Sequence, residues 1–135
     1  MRQIKFRAKA LANGHWVYGN LIKRSDDCVS IRNSKSQPWV DPETVGQFTG
    51  LTDCKRNPIY EGDIFTVNGK YPKLVEYRED RAAFCIANVD ELDKEWIDPW
   101  QQPAPNWWYD FSREIIVIGN IYDNPSLMIN QPTEV

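Results

Sequence analysis

Histidine is almost missing from this chain: His15 stands alone among 135 residues. It follows directly on an Asn13-Gly14 turn, where a solvated side chain is the expected state and a catalytic role the less expected one. Cysteine is scarce as well. Cys28, Cys54 and Cys85 are odd in number, widely spaced and without a CxxC pair, a pattern of reduced thiols and not of a disulfide framework or zinc site. Neither a GxxxxGK[ST] loop nor a GxGxxG turn occurs, so nucleotide binding of those kinds has no support, and no cofactor is expected. No apolar stretch approaches the roughly 18 residues that cross a bilayer. The start Met1-Arg2-Gln3-Ile4-Lys5 has no apolar middle of the kind a signal peptide carries, so the expected location is the cytoplasm, away from membranes. Positive charge is not in excess either. The 16 Lys and Arg face 19 Asp and Glu, for a net charge of -3, so nucleic-acid binding would need a local patch.

Aromatics, by contrast, are plentiful, with six Trp, six Tyr and five Phe, and such side chains favour pleated, half-buried surfaces. Ile4, Phe6, Ala8 and Ala10 alternate with Lys5, Arg7 and Lys9, the period of a strand with one face on a core. Asn13-Gly14 joins this run to His15-Trp16-Val17-Tyr18-Gly19-Asn20-Leu21-Ile22, which predicts an antiparallel hairpin. Cys28-Val29-Ser30-Ile31-Arg32 reads as a third strand. Val45-Gly46-Gln47-Phe48-Thr49 reads as a strand ending at Gly50. A polar connection containing Asp53 and Asn57 leads to Glu61-Gly62-Asp63, a tight turn into Ile64-Phe65-Thr66-Val67. Asn68-Gly69 is a second hairpin signal, delivering Lys73-Leu74-Val75-Glu76-Tyr77-Arg78, and Ala82-Ala83-Phe84-Cys85-Ile86-Ala87 continues the series.

Beyond Ala87 the rhythm changes. Asn88 with Glu91 has the form of a capping box, and Val89, Leu92, Trp96 and Ile97 share one helical face, which predicts one short helix ending before Pro99. Residues 99–110 hold three prolines and four aromatics, Trp100, Trp107, Trp108 and Tyr109, which describes a long aromatic loop. Ile115-Ile116-Val117-Ile118 reads as a strand covered on both faces, before the Gly119 turn. Together these elements predict an all-β, mainly antiparallel, small barrel-like domain with at most one or two short helices, a single domain over residues 1–135.

Four blocks in order along the chain carry a resemblance: Ile4-Lys5-Phe6-Arg7-Ala8, Trp16-Val17-Tyr18-Gly19, the stretch over residues 45–64, and Val117-Ile118-Gly119-Asn120-Ile121-Tyr122-Asp123-Asn124-Pro125. They resemble the YopX-like proteins of bacteriophages, prophages and other mobile elements. Where relatives commonly read Asp-Lys-Asn-Gly in the central connection, this chain has Asp53-Cys54-Lys55-Arg56. Residues 88–110 match nothing in the family pattern and read as a variable aromatic, Pro-rich insertion. The resemblance implies a β-rich, barrel-like, self-associating domain of mobile-element origin. It supplies no reaction and no catalytic residues.

The residues themselves are weighed against structural roles. Glu61 and Asp63 flank a glycine at a strand entry, where carboxylates cap turn amides more readily than they perform acid-base chemistry. Gly14, Gly50, Gly62, Gly69 and Gly119 are read, with Asp63, as turn residues. Arg2, Lys5, Arg7 and Lys9 form a basic strip that could meet phosphates, with Trp16 or Tyr18 stacking on bases, or could be a solvated edge protected from aggregation. Trp100, Trp107, Trp108 and Tyr109 form the other candidate surface, either an interface or a segment folded back on the core. The leading expectation is a non-enzymatic interaction module that forms homo-oligomers and meets an unidentified protein partner. The alternatives are an oligonucleotide-binding barrel using the basic first strand, and a small-molecule-binding or hydrolytic enzyme.

Overall fold

A computed structural model describes residues 3–129. The chain divides into two compact units, residues 1–50 and 51–135. The architecture is all-β and antiparallel, as the sequence predicts, and the described residues contain short 3-10 turns in place of any α-helix.

The first unit holds β1 (Phe6–Lys9), β2 (Trp16–Ser25), β3 (Cys28–Arg32), β4 (Trp39–Val40) and most of β5 (Gly46–Thr52). They lie side by side in the order β4-β3-β2-β1-β5. The β1–β2 hairpin pairs Phe6 with Gly19, Arg7 with Tyr18, Ala8 with Val17 and Lys9 with Trp16. Gly14 supplies the left-handed backbone at its turn (φ 73°). Gly19 answers a different need, since a Cβ there would meet the Arg32 carbonyl oxygen on β3 at 2.2 Å. The even-numbered side chains of β1 face an apolar cluster of Ala8, Val29, Ile31 and Val40, with Phe6, Val17, Leu21 and Val45 packed around it.

The second unit contains β6 (Pro58–Tyr60), β7 (Asp63–Val67), β8 (Lys70–Arg78), β9 (Ala83–Asn88), β10 (Trp100–Gln101) and β11 (Ile115–Asn120). Its sheet runs β10-β9-β8-β7-β11. Asn68 (φ 54°) and Gly69 (φ 74°) are both left-handed, as a tight two-residue hairpin turn requires. Ile59, Phe65, Val75, Ile86 and Ile115 form one core cluster; Ile64, Leu74 and Val89 form another. All three cysteines are free thiols, and Cys85 is buried.

Three expectations are corrected. The helix after Ala87 shrinks to a single 3-10 turn, Val89–Glu91, because Asn88 is still the last residue of β9 and its side chain caps no backbone N–H: its oxygen accepts from Lys73 Nζ and its amide donates to the Glu91 carboxylate. β11 is an edge strand with a bulge between Val117 and Gly119, and Ile118 is exposed, so the run is not covered on both faces. β5 does not stop at Gly50 but passes through it, with φ 87°, as far as Thr52.

Candidate functional site

The carboxylates of the central block are engaged by the backbone. Asp53 is buried, and its Oδ1 accepts the Lys55 N–H (2.9 Å) and Asn57 N–H (2.8 Å). Its Oδ2 accepts the Asn57 side-chain amide (3.2 Å) and the Val117 N–H on β11 (3.1 Å). Burial alone would raise the Asp53 pKa, but the hydrogen bonds from Val117, Asn57 and Lys55 outweigh it and hold the carboxyl below its ordinary value. The Cys54 N–H donates to the Ile115 carbonyl oxygen beside this contact (2.9 Å). Asp63, also buried, accepts the Tyr60 N–H at 2.7 Å around Gly62 (φ 91°). The Gly62 carbonyl oxygen in turn accepts the Ile121 N–H at 3.0 Å.

The end of β11 at Gly119 and Asn120, with the turn over residues 121–123 that follows it, continues the same scheme. Asn120 Oδ1 accepts the N–H groups of Tyr122 (2.9 Å) and Asp123 (2.8 Å), and its amide donates to Asp123. Asn124 Oδ1 accepts the Asn120 N–H (3.2 Å), and a Cβ on Gly119 would lie 2.4 Å from that oxygen. The pairings of Asn120 with Asp63 and Gly119 with Ile64 bring the central and C-terminal blocks together.

A family profile described as YopX protein matches residues 5–129. The chain belongs to the YopX family. The crystal structure of protein EF1440 from Enterococcus faecalis is similar to this YopX chain, with a TM-score of 0.57 and 20% identity over 96% of this chain and 100% of that one. A likeness at that identity speaks for the fold. Among curated sequences nothing matches.

Within this YopX chain the aromatic segment divides. Trp107 and Trp108 are half-buried on the core, with ring centroids 6.4 and 5.6 Å from Phe65 and 5.1 Å from each other. Trp100 is half-buried against the Ile64 cluster, and the Arg78 guanidinium lies 4.9 Å from its ring. Arg81 anchors the irregular segment leading into β10, pairing with Asp98 and donating to the Trp100 carbonyl oxygen. Tyr109 keeps 63% of its surface exposed. Two aromatics flanking this segment are exposed as well: Trp96 at 82%, which the sequence places on a helical face, and Phe111, which is fully exposed and was not singled out from the sequence. Phe111 rides on a turn fixed by Asp110, which accepts the Ser112 N–H (2.8 Å), the Ser112 hydroxyl (2.7 Å) and Arg113 (3.0 Å). These bonds, the Ser112 N–H first, lower the Asp110 pKa. A cleft of about 390 Å³ runs between this turn and the Asp53-Cys54 corner, lined in part by Trp108, Tyr109 and Phe111.

The basic strip differs from its sequence reading. Arg2 lies outside the described residues. Arg7 is buried, not solvated, with its guanidinium 4.6 Å from the Trp16 ring, a place suited to a weakly hydrated planar cation. Lys9 lies over the same ring (5.4 Å), Lys5 over Tyr18 (5.6 Å) and Arg24 over Trp39 (5.7 Å). His15 is exposed, its N–H bonded to Asn13 Oδ1. Among the described residues no group of three His, Cys, Asp or Glu could hold a metal ion, and no helix is long and apolar enough to cross a membrane.

Proposed function

We propose that this YopX family chain is a non-enzymatic, self-associating interaction module of a phage- or prophage-derived element, working in the cytoplasm of the bacterial host. Its contact surface is the exposed part of the aromatic segment: Trp96, Tyr109 and Phe111. The observation that carries this reading is Phe111, a phenylalanine wholly in water on a turn that Asp110 holds in place. A rigid aromatic anchor loses little side-chain entropy when a partner covers it, which is the character of interface hot spots. The non-enzymatic part of the reading is supported by Asp53 and Asp63, which spend their acceptors on backbone N–H groups and so support turns and not proton transfer.

The test is solution mass by light scattering across a concentration series. Burying a Phe side chain contributes roughly 1.5–3 kcal/mol, so Phe111→Ser should weaken self-association by about ten- to a hundredfold. A parent protein that remains monomeric throughout, or a Phe111→Ser variant that associates like the parent, refutes the proposal.

A further inference from the structure

The net charge of the whole chain conceals a division between its two units. Residues 1–50 carry eight Lys and Arg against four Asp and Glu, whereas residues 51–135 carry eight against fifteen. The four acids of the first unit, Asp26, Asp27, Asp41 and Glu43, all fall in the turn between β2 and β3 or directly after β4. None occupies a strand.

Strand register sorts the remaining side chains onto two faces. One face is the apolar cluster around Ala8 and Ile31. On the other, Arg7 and Lys9 pair with Tyr18 and Trp16, Asn20 pairs with Arg32, and Ile22 pairs with Ser30, which itself pairs with Trp39. Lys5, one position before β1, and Arg24, near the end of β2, join this face through their contacts with Tyr18 and Trp39. Among the described strand residues of the first unit, this face therefore carries cations and aromatic rings and no Asp or Glu. Tyr18 and Trp39 keep 42% and 45% of their surfaces exposed.

We infer that this face of the first unit binds single-stranded DNA. Lys5, Lys9, Arg24 and Arg32 contact phosphates, and Tyr18 and Trp39 stack on bases, while buried Arg7 holds Trp16 in place. Trp39 lies two strands across and four residues along from Tyr18, about 16 Å by ordinary strand spacings, a span for a few nucleotides of extended strand. A duplex keeps its bases stacked inside and offers nothing for the rings to take up. Ribose hydroxyls gain little here: Asn20 is exposed, but the Ser30 hydroxyl is buried and already accepts from Gln37 (3.2 Å).

The experiment is fluorescence anisotropy of a labelled thymidine oligomer of about 15 nucleotides with the full chain. Four phosphate contacts on a single strand give a log-log salt slope near -3, or about a 50-fold loss of affinity between 50 and 200 mM salt. Trp39→Ala should weaken binding about tenfold, and Lys5→Gln with Arg24→Gln should roughly halve the slope. Tyr18→Ser provides a second stacking variant, should Trp39→Ala lose its parent circular dichroism. No anisotropy change at 50 mM salt overturns the inference. So do stacking variants that bind like the parent, which marks a general polyanion surface, and tighter binding to the matching duplex or RNA.

Discussion

Replacing Asp53 by alanine removes a buried acceptor of four hydrogen bonds and should cost this protein about 3 kcal/mol. The amides of Lys55 and Asn57 belong to exposed residues and can turn to water, so their loss costs roughly 0.5 kcal/mol each. The Val117 N–H is different. It lies on half-buried β11 and receives a charged acceptor from a residue 64 positions earlier, the kind of bond worth roughly 1.5–3 kcal/mol. Urea unfolding followed by tryptophan fluorescence reads the change, since Trp107 and Trp108 pack on Phe65 in the same unit. Asp53→Asn keeps one acceptor oxygen and should lose about half as much. Because the folded-state pKa of Asp53 is lowered, its stabilisation is present above the unfolded value near 3.9 and is lost as pH falls through the lower folded value. The acid limb of stability against pH should therefore be shallower in Asp53→Asn. An Asp53→Ala protein within about 0.5 kcal/mol of the parent, on the surface-substitution scale, would refute the reasoning.

Other substitutions test other joints of the fold. Gly19→Ala drives a methyl group into the Arg32 carbonyl oxygen and should destabilise by about 3 kcal/mol through separation of β2 from β3, as measured by the urea midpoint. Gly119→Ala meets side-chain ends, those of Asn124 and Leu127, and no backbone, so it should cost about 1–2 kcal/mol, chiefly the value of the Asn120 N–H to Asn124 hydrogen bond it displaces. Trp108→Ala uncovers Phe65 and should cost about 3 kcal/mol, with a visible loss of near-ultraviolet ellipticity. Phe111→Ser, by contrast, should leave the urea midpoint unchanged, because its ring touches water and its turn is held by Asp110.

What the sequence reveals here depends on how local the cause is. Asn13-Gly14 and Asn68-Gly69 announce hairpins because the turn itself needs left-handed residues, and Cys28–Arg32 matches its predicted bounds. Asp53 is legible as a turn former, but its reach to Val117 is not, since nothing near residue 53 marks a partner on the last strand. The same limit hides the burial of Trp107 and Trp108, which depends on Phe65. The spacing of Val89, Leu92 and Trp96 suggests a helical face, yet Trp96 points into solvent; in so short a stretch packing of Val89 and Leu92 on the Ile64 cluster decides the outcome. β4, β6 and β10, of two or three residues each, are too brief for periodicity to register. Arg7 alternates as a solvated strand residue should, and nothing in that alternation shows that it is buried or that the indole of Trp16 on the neighbouring strand lies against its guanidinium.

The edge strands bear on how such a protein can live at high concentration. β4 and β10 present two residues apiece, and β11 gives its Val117 N–H to Asp53 and its Ile115 carbonyl to Cys54. An incoming strand would find few vacant rungs on which to extend these ladders, and open-ended fibre growth from them is discouraged. The contacts between copies proposed above would then fall to side chains such as Phe111, and dilution should reverse them.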